Sequence, residues 1–284
     1  MLEQRPASSA RAAARDDAIL PLTRAVAAAV IPFLVAAFFI LFLRPSETAQ
    51  RFAWEIKSPL TSGLMGAGYL GGAYFFMRVL GQRQWHRVAA GFPPVAAFVG
   101  GMLLATLLHW DTFDPGHWPF LVWLVIYLIT PVLVPLVWWL NRARDDGQPE
   151  PGEALVPPVV RRVVFIVGVL LLAEALIAFL LPGVAVDRWP WTLTPLTARV
   201  LAAWQSLLAV GALTLAGDRR WSAWRIPLQS ILLWQALLLI AFAVRRAAFA
   251  AGGPLNWYLL YTLAGIASAV AFYVAMERRR LARP

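Results

Sequence analysis

The chain has no cysteine, a single lysine (Lys57) and three histidines among its 284 residues. Without thiols there are no disulfides, thiolate metal sites or cysteine nucleophiles. Lys57 lies between apolar runs, so no buried lysine can hold a Schiff-base chromophore. Charge is scarce too, at 14% of residues, against about 25% in soluble domains. No glycine-rich phosphate loop and no HExxH sequence occurs, and no Ser-His-Asp set falls within the apolar runs. His86 sits in a polar "RQWHR" segment, and His109 and His117 share a loop, so none is placed to ligate a buried haem. The sequence indicates no cofactor, and an enzyme is the least supported of three functional classes.

What fills the chain is apolar. Hydrophobic residues make up 60%, mean hydropathy is +0.66, and there are 14 Trp, 16 Phe and 6 Tyr. Eight apolar runs, at 25–43, 60–80, 88–108, 119–140, 161–181, 196–216, 226–246 and 255–276, approach the length needed to cross about 30 Å of hydrocarbon. They do not alternate apolar with polar residues as strands of a membrane barrel do. The expected fold is all-α and polytopic, with eight transmembrane helices. The first run follows a tail containing Asp16 and Asp17 and exceeds a signal-peptide core, so it is read as a retained span.

The net charge of +10 does not point to nucleic acid, because the basic residues lie in small clusters between the apolar runs. With both termini inside, 18 of the 25 basic residues fall on the inner side and 7 on the outer, the asymmetry that orients membrane proteins. Cytoplasmic termini and a bacterial inner membrane are therefore expected, with the lipid bilayer as the constant partner.

An internal repeat organises the runs. Aligning Trp54 with Trp191 superposes "FAWEIKSPLT" on "WPWTLTPLT", Pro45 on Pro182, and Gly81, Arg83 and Trp85 on Gly217, Arg219 and Trp221. Phe113 and Phe249 follow at the same spacing, as do the pairs Trp123/Tyr127 and Trp257/Tyr261. Four spans per unit place both ends of a unit on one side, so consecutive copies share orientation, the parallel type of repeat. The expected segments are an inner tail (1–24), a first four-helix unit (25–140), a polar linker (141–160), a second unit (161–276) and a basic inner tail (277–284). In the shared phrase, Ser58 before Pro59 and Thr194 before Pro195 read as helix N-caps with proline at the first helical position. Trp54 and Trp191 then belong to an outer aromatic rim, with Thr61 and Thr197 beside them.

Three groups carry possible chemistry. Glu174 lies mid-span in "LLLAEALIAF", where a carboxylate costs about 2.5–3.5 kcal/mol. It is the ligand- or proton-handling candidate, with Gln205 and Gln235 as partners. The loop "HWDTFDPGH" gathers His109, Asp111, Asp114 and His117, a possible divalent-metal set or a polar turn. Asp111 and Asp114 are also placed to pair with Arg245 and Arg246, the latter being the repeat counterparts of His109 and Trp110. In the second run, Gly63, Ala67 and Gly71 form a stripe suited to close helix contact.

The function expected from these features is binding or transport of a small, amphipathic ligand in an aromatic cleft between the halves. The alternative is a structural subunit of a larger membrane complex, and the third class is an intramembrane enzyme.

Overall fold

The computed structural model describes residues 16–246 and 255–282, the side chains of 255–258 excepted. Phe249 therefore lies outside the described residues, as does the side chain of Trp257. Among the described residues the protein is helical, with no strand. The helices are α1 (Pro21–Phe38), α2 (Thr48–Arg51), α3 (Pro59–Gly81), α4 (His86–Ala89), α5 (Phe92–Leu108), α6 (Trp118–Asn141), α7 (Pro158–Leu180), α8 (Pro182–Arg188), α9 (Pro195–Gly217), α10 (Trp221–Val244) and α11 (Leu255–Leu281). A π-helical segment, Phe39–Leu43, continues α1.

Seven helical segments are long and apolar enough to cross a membrane. The eighth expected span, α3, forms a helix of 23 residues but is not one of the seven. Its glycines, Tyr69, Tyr74 and Arg78 dilute its hydropathy. Its surroundings explain why it can be so polar: 15 of its residues are buried, while α7 buries only Gly168 and Ala175. α3 faces protein, and α7 leaves a broad apolar surface open.

The predicted caps are present. Ser58 accepts from the Thr61 N–H, and Thr194 with Thr197 makes a reciprocal capping box, each ahead of a proline at the first position. The third apolar run is not one helix. It breaks after α4 and restarts at Phe92 behind Gly91, in the sequence "GFPP", because prolines remove backbone donors inside a helix and favour its first turn.

Packing crosses between the halves. α1 lies on α3 and α7 on α9, but α5 packs on α9 and α10 on α3. Each half thus lends its third helix to the other. Across the α3–α10 contact, the Ser230 hydroxyl donates to the Gly71 carbonyl at 2.7 Å, and Trp234 Nε1 donates to the Leu64 carbonyl at 3.2 Å.

At one end of the bundle the same set of hydrogen bonds is written twice. Trp85 N–H donates to Asp17 O at 2.7 Å and Ile19 N–H to Arg83 O at 3.1 Å. Trp221 N–H donates to Ala154 O at 3.0 Å and Val156 N–H to Arg219 O at 2.8 Å. Carboxylates hold the next N–H in each case, Asp17 for His86 and Glu153 for Ser222, both at 3.0 Å. Arg24 donates to the carbonyls of Leu80 and Gln82, and Arg161 to those of Ala216 and Gly217. Both arginines thereby satisfy carbonyls that the C-termini of α3 and α9 leave without intrahelical partners.

Candidate functional site

Where the exchanged helices meet, the walls frame a partly open cavity of ≈ 100 Å³. Its lining comes from α1, α3, α5, α6, α9 and α10 and contains no Asp, Glu, Lys, Arg or His. Tyr69, Phe98, Tyr127, Trp204 and Trp234 supply the aromatic surface. Trp204 lies at its centre: its ring is 4.3 Å from Phe98, 5.1 Å from Tyr69 and 5.1 Å from Trp234, centroid to centroid. Gly68 makes room for it, since a Cβ there would stand 2.6 Å from Cζ3 of the indole. The Tyr69 and Tyr127 hydroxyls bond one another at 2.9 Å. Thr130 and Ser230 spend their hydroxyl protons on the carbonyls of Ile126 and Gly71, each at 2.7 Å. Trp204 Nε1 is buried and has no partner. Gly72 and Gly211 leave space instead, with nothing closer than 3.7 Å to a Cβ at either position.

Glu174 does not line this cavity. It is exposed on α7, and no hydrogen bond joins it to Gln205 or Gln235 among the described residues. The cause is rotational: α7 contacts α9 through Gly168 and Ala175, with Gly168 against Leu213 and Ala212. Glu174 precedes Ala175 by one residue and so points about 100° away from that contact. Tyr261 of α11 is 64% exposed as well. In the sequence alignment of the two halves, Tyr261 and Gln205 stand opposite Tyr127 and Tyr69.

The loop after α5 does not gather into a metal site. Among the described residues no group of three or more His, Cys, Asp or Glu side chains is placed to hold an ion. His117 Nε2 pairs with the Phe52 carbonyl at 3.0 Å, Asp114 accepts from the Gly116 N–H at 2.8 Å, and Asp111 is exposed. His109 is drawn to the other half, where its Nε2 accepts from Arg199 Nη1 at 2.7 Å.

Arg245 likewise crosses between halves, but to carbonyls rather than to Asp111 or Asp114. It donates to Phe42 O and Pro59 O, and the side chain of Arg246 makes no described pair with either aspartate. The counterpart of Phe42 O is Phe179 O, which receives Arg199 Nε at 3.0 Å. The end of α1 and the end of α7 thus each meet a guanidinium, Arg245 from beyond α10 and Arg199 from α9. Gly63 lies under the Arg245 guanidinium, which packs where a Cβ would stand.

Burial, and then the Arg199 cation, hold the His109 imidazole below its ordinary value. The unfolded chain takes up a proton near pH 6.5 that the folded one refuses. The stability from this contact is complete above that pH and is lost as pH falls through the ordinary range towards the depressed value. Thermal melts of the wild type should fall between pH 7.5 and 5.5. His109→Gln keeps an acceptor without a titrating group and should flatten that slope; an unchanged slope would exclude His109 as its source.

Of the rim candidates, Trp54 and Trp191 are buried rather than set in a belt, at 7% and 4% exposure. Trp191 Nε1 donates to Thr61 Oγ1 across the halves at 2.8 Å. Thr197 spends its hydroxyl on the Thr194 cap, and among the described residues Trp54 Nε1 has no hydrogen-bond partner. Sequence reading did not single out Tyr69, Trp204 or the Arg220 cluster. A tyrosine inside the glycine stripe of α3 was the one available signal for the first.

No protein-family model, curated protein or solved structure matches this chain.

Proposed function

We propose that the protein is a multi-pass membrane protein whose two like-oriented four-helix halves bind a small ligand in the aromatic cavity between them. The carrying observation is that cavity: helices of both halves build its wall, and glycines rather than large side chains leave it open. The doubled hydrogen-bond sets at the α1 and α7 entries support the repeat. The burial of α3 among apolar neighbours supports its counting as the eighth crossing, and the basic-residue asymmetry supports cytoplasmic termini. Ligand sites between helices of a bundle are the common arrangement.

Calorimetric titration of the protein in lipid nanodiscs with indane, a rigid hydrocarbon, tests the binding role. Saturable binding is expected in the wild type. Gly211→Leu extends a side chain into the cavity from a position with room for its Cβ, and should weaken binding at least about tenfold. Identical, non-saturable uptake by both proteins would show lipid partitioning alone and overturn the proposal.

One observation favours the subunit alternative. Glu174 is exposed on a spanning helix, where lipid contact costs about 2.5–3.5 kcal/mol, and a partner helix would relieve that cost. Photocrosslinking from position 174 in native membranes would then yield a stoichiometric polypeptide adduct; lipid adducts alone would remove this alternative.

A further inference from the structure

The geometry points to a second site, a groove along α3, α10 and α11 that receives an anionic glycerophospholipid, its phosphate on Arg78. The groove is separate from the cavity, since none of Tyr74, Arg78, Gln229 and Tyr273 lines that wall. It rests on the reading of the chain as a membrane protein and not on the binding role of the cavity.

The head of the groove is built around one cation. Arg78 stands on the last turn of α3. Its Nη1 donates to the Tyr74 hydroxyl at 2.8 Å and to Gln229 Oε1 at 3.1 Å. Tyr74 donates to the same Gln229 oxygen at 2.7 Å, and Gln229 Nε2 donates to the Tyr273 hydroxyl of α11 at 2.6 Å. The Tyr273 ring rests on Trp221, 5.4 Å between centroids. Three helices are thereby tied together through neutral groups, and the charge stays unmatched. Among the described residues no carboxylate pairs with Arg78. Glu277, one turn on from Tyr273, spends its oxygens on Trp221, Arg225 and Arg280. A guanidinium carries five N–H groups in a fork that matches phosphate. Nε and Nη2 of Arg78 have no partner among the described residues, and neither is a sealed atom, on a side chain that is half-buried. Tyr273, having accepted from Gln229, has its own hydrogen to give.

Beyond the head the groove is apolar. Leu232, Ala236 and Ile240 continue the face of α10 that carries Gln229, at steps of three or four residues. All three are half-buried or exposed. An open cation at the end of a spanning helix, followed by an apolar stripe along its neighbour, fits a phosphate that carries an acyl chain. A free phosphate would meet the head alone. Basic pockets between membrane helices hold anionic headgroups in this way.

Native mass spectrometry of the delipidated protein in a neutral detergent tests the site. The probes are dioleoylphosphatidylglycerol, dioleoylphosphatidylcholine and inorganic phosphate. The wild type should hold the anionic lipid about tenfold more tightly than the zwitterionic one. Arg78→Gln should lose most of that preference. Arg83→Gln removes an exposed arginine just beyond α3 and should keep it. Tyr273→Phe should weaken the anionic lipid about threefold, and carries the comparison if Arg78→Gln does not fold. Equal retention of the two lipids by the wild type would overturn the inference. So would equal losses in Arg78→Gln and Arg83→Gln, which would mark general surface charge. Displacement of the lipid by inorganic phosphate would assign the head to a soluble anion and overturn the lipid as occupant.

Discussion

Arg220→Ala should cost the folded protein about 3–5 kcal/mol, the largest loss expected from any single substitution outside the cavity. Arg220 is 4% exposed and holds two carboxylates. Its guanidinium grips Asp145 in a fork, Nη1 to Oδ1 at 2.6 Å and Nη2 to Oδ2 at 2.7 Å, and reaches Asp218 Oδ2 at 2.6 Å. Asp145 belongs to the linker between the halves, and Arg220 to the turn before α10. Truncation leaves two negative charges facing one another with only partial access to water, their side chains being 17% and 21% exposed. Burial pushes the Asp145 carboxyl up, but the Arg220 and Gly147 hydrogen bonds and the nearby Arg220 and His86 charges outweigh it, and the net shift is down. Burial lowers the Arg220 guanidinium, and its bonds to Asp145 and Asp218 outweigh that and raise it.

The sign of the pH dependence follows. A depressed folded pKa makes the Asp145 contribution complete above the ordinary carboxylate range and lost only as pH falls through the depressed value. In Arg220→Ala, burial is no longer opposed by the guanidinium, so the folded carboxyls are pushed above their ordinary range and acidification should restore part of the lost stability instead of removing more of it. Melts across pH 3–7 would measure both effects. The triple variant Arg220→Met, Asp145→Asn, Asp218→Asn removes the cluster without stranding a charge and should recover most of the stability. A single variant as stable as the wild type would mean that the cluster carries no weight in the fold.

The second large effect is expected at Gly66. A Cβ there would stand 2.8 Å from the backbone nitrogen of Phe42 and 3.1 Å from its Cα. Backbone cannot rotate aside as a side chain can, so the π-helical end of α1 would have to move. That movement would break the bond from Ser62 Oγ to Leu41 O at 2.7 Å and the one from Arg245 to Phe42 O. These two donors satisfy carbonyls at the helix end. Gly66→Ala should therefore destabilise by about 3 kcal/mol. Gly100→Ala is the control: it is helical, and a Cβ there meets nothing within 4 Å. It should be neutral or stabilise by up to about 1 kcal/mol. Equal melting temperatures for the two variants would show that the α1–α3 approach is not tight.

The helices were legible in the sequence because runs of apolar residues and capping phrases act locally. Ser58 and Thr194 cap where their spacing to proline places them, and seven of the eight runs form segments apolar enough to cross a membrane. The two G-x-R-x-W phrases make matching hydrogen bonds at the entries to α1 and α7. The site was less legible. Glu174 stood out because a mid-span carboxylate is costly anywhere in a membrane, yet the face of α7 that meets α9 is chosen by Gly168 and Ala175, and that choice turns Glu174 outward. Arg245 was placed near aspartates by loop proximity, while the unsatisfied carbonyls of the α1 end were the nearer acceptors.

By itself the sequence determined a helical, membrane-type chain and the ends of its helices, since each follows from composition or from contacts a few residues apart. Tertiary structure alone decided that the third helix of each half packs on the other half, and so which side chains share a wall. Tyr69, Tyr127 and Trp204 are separated by 58 residues or more along the chain. Only the crossing of α5 onto α9 and α10 onto α3 brings them around one cavity, and no local pattern encodes a contact between helices so far apart.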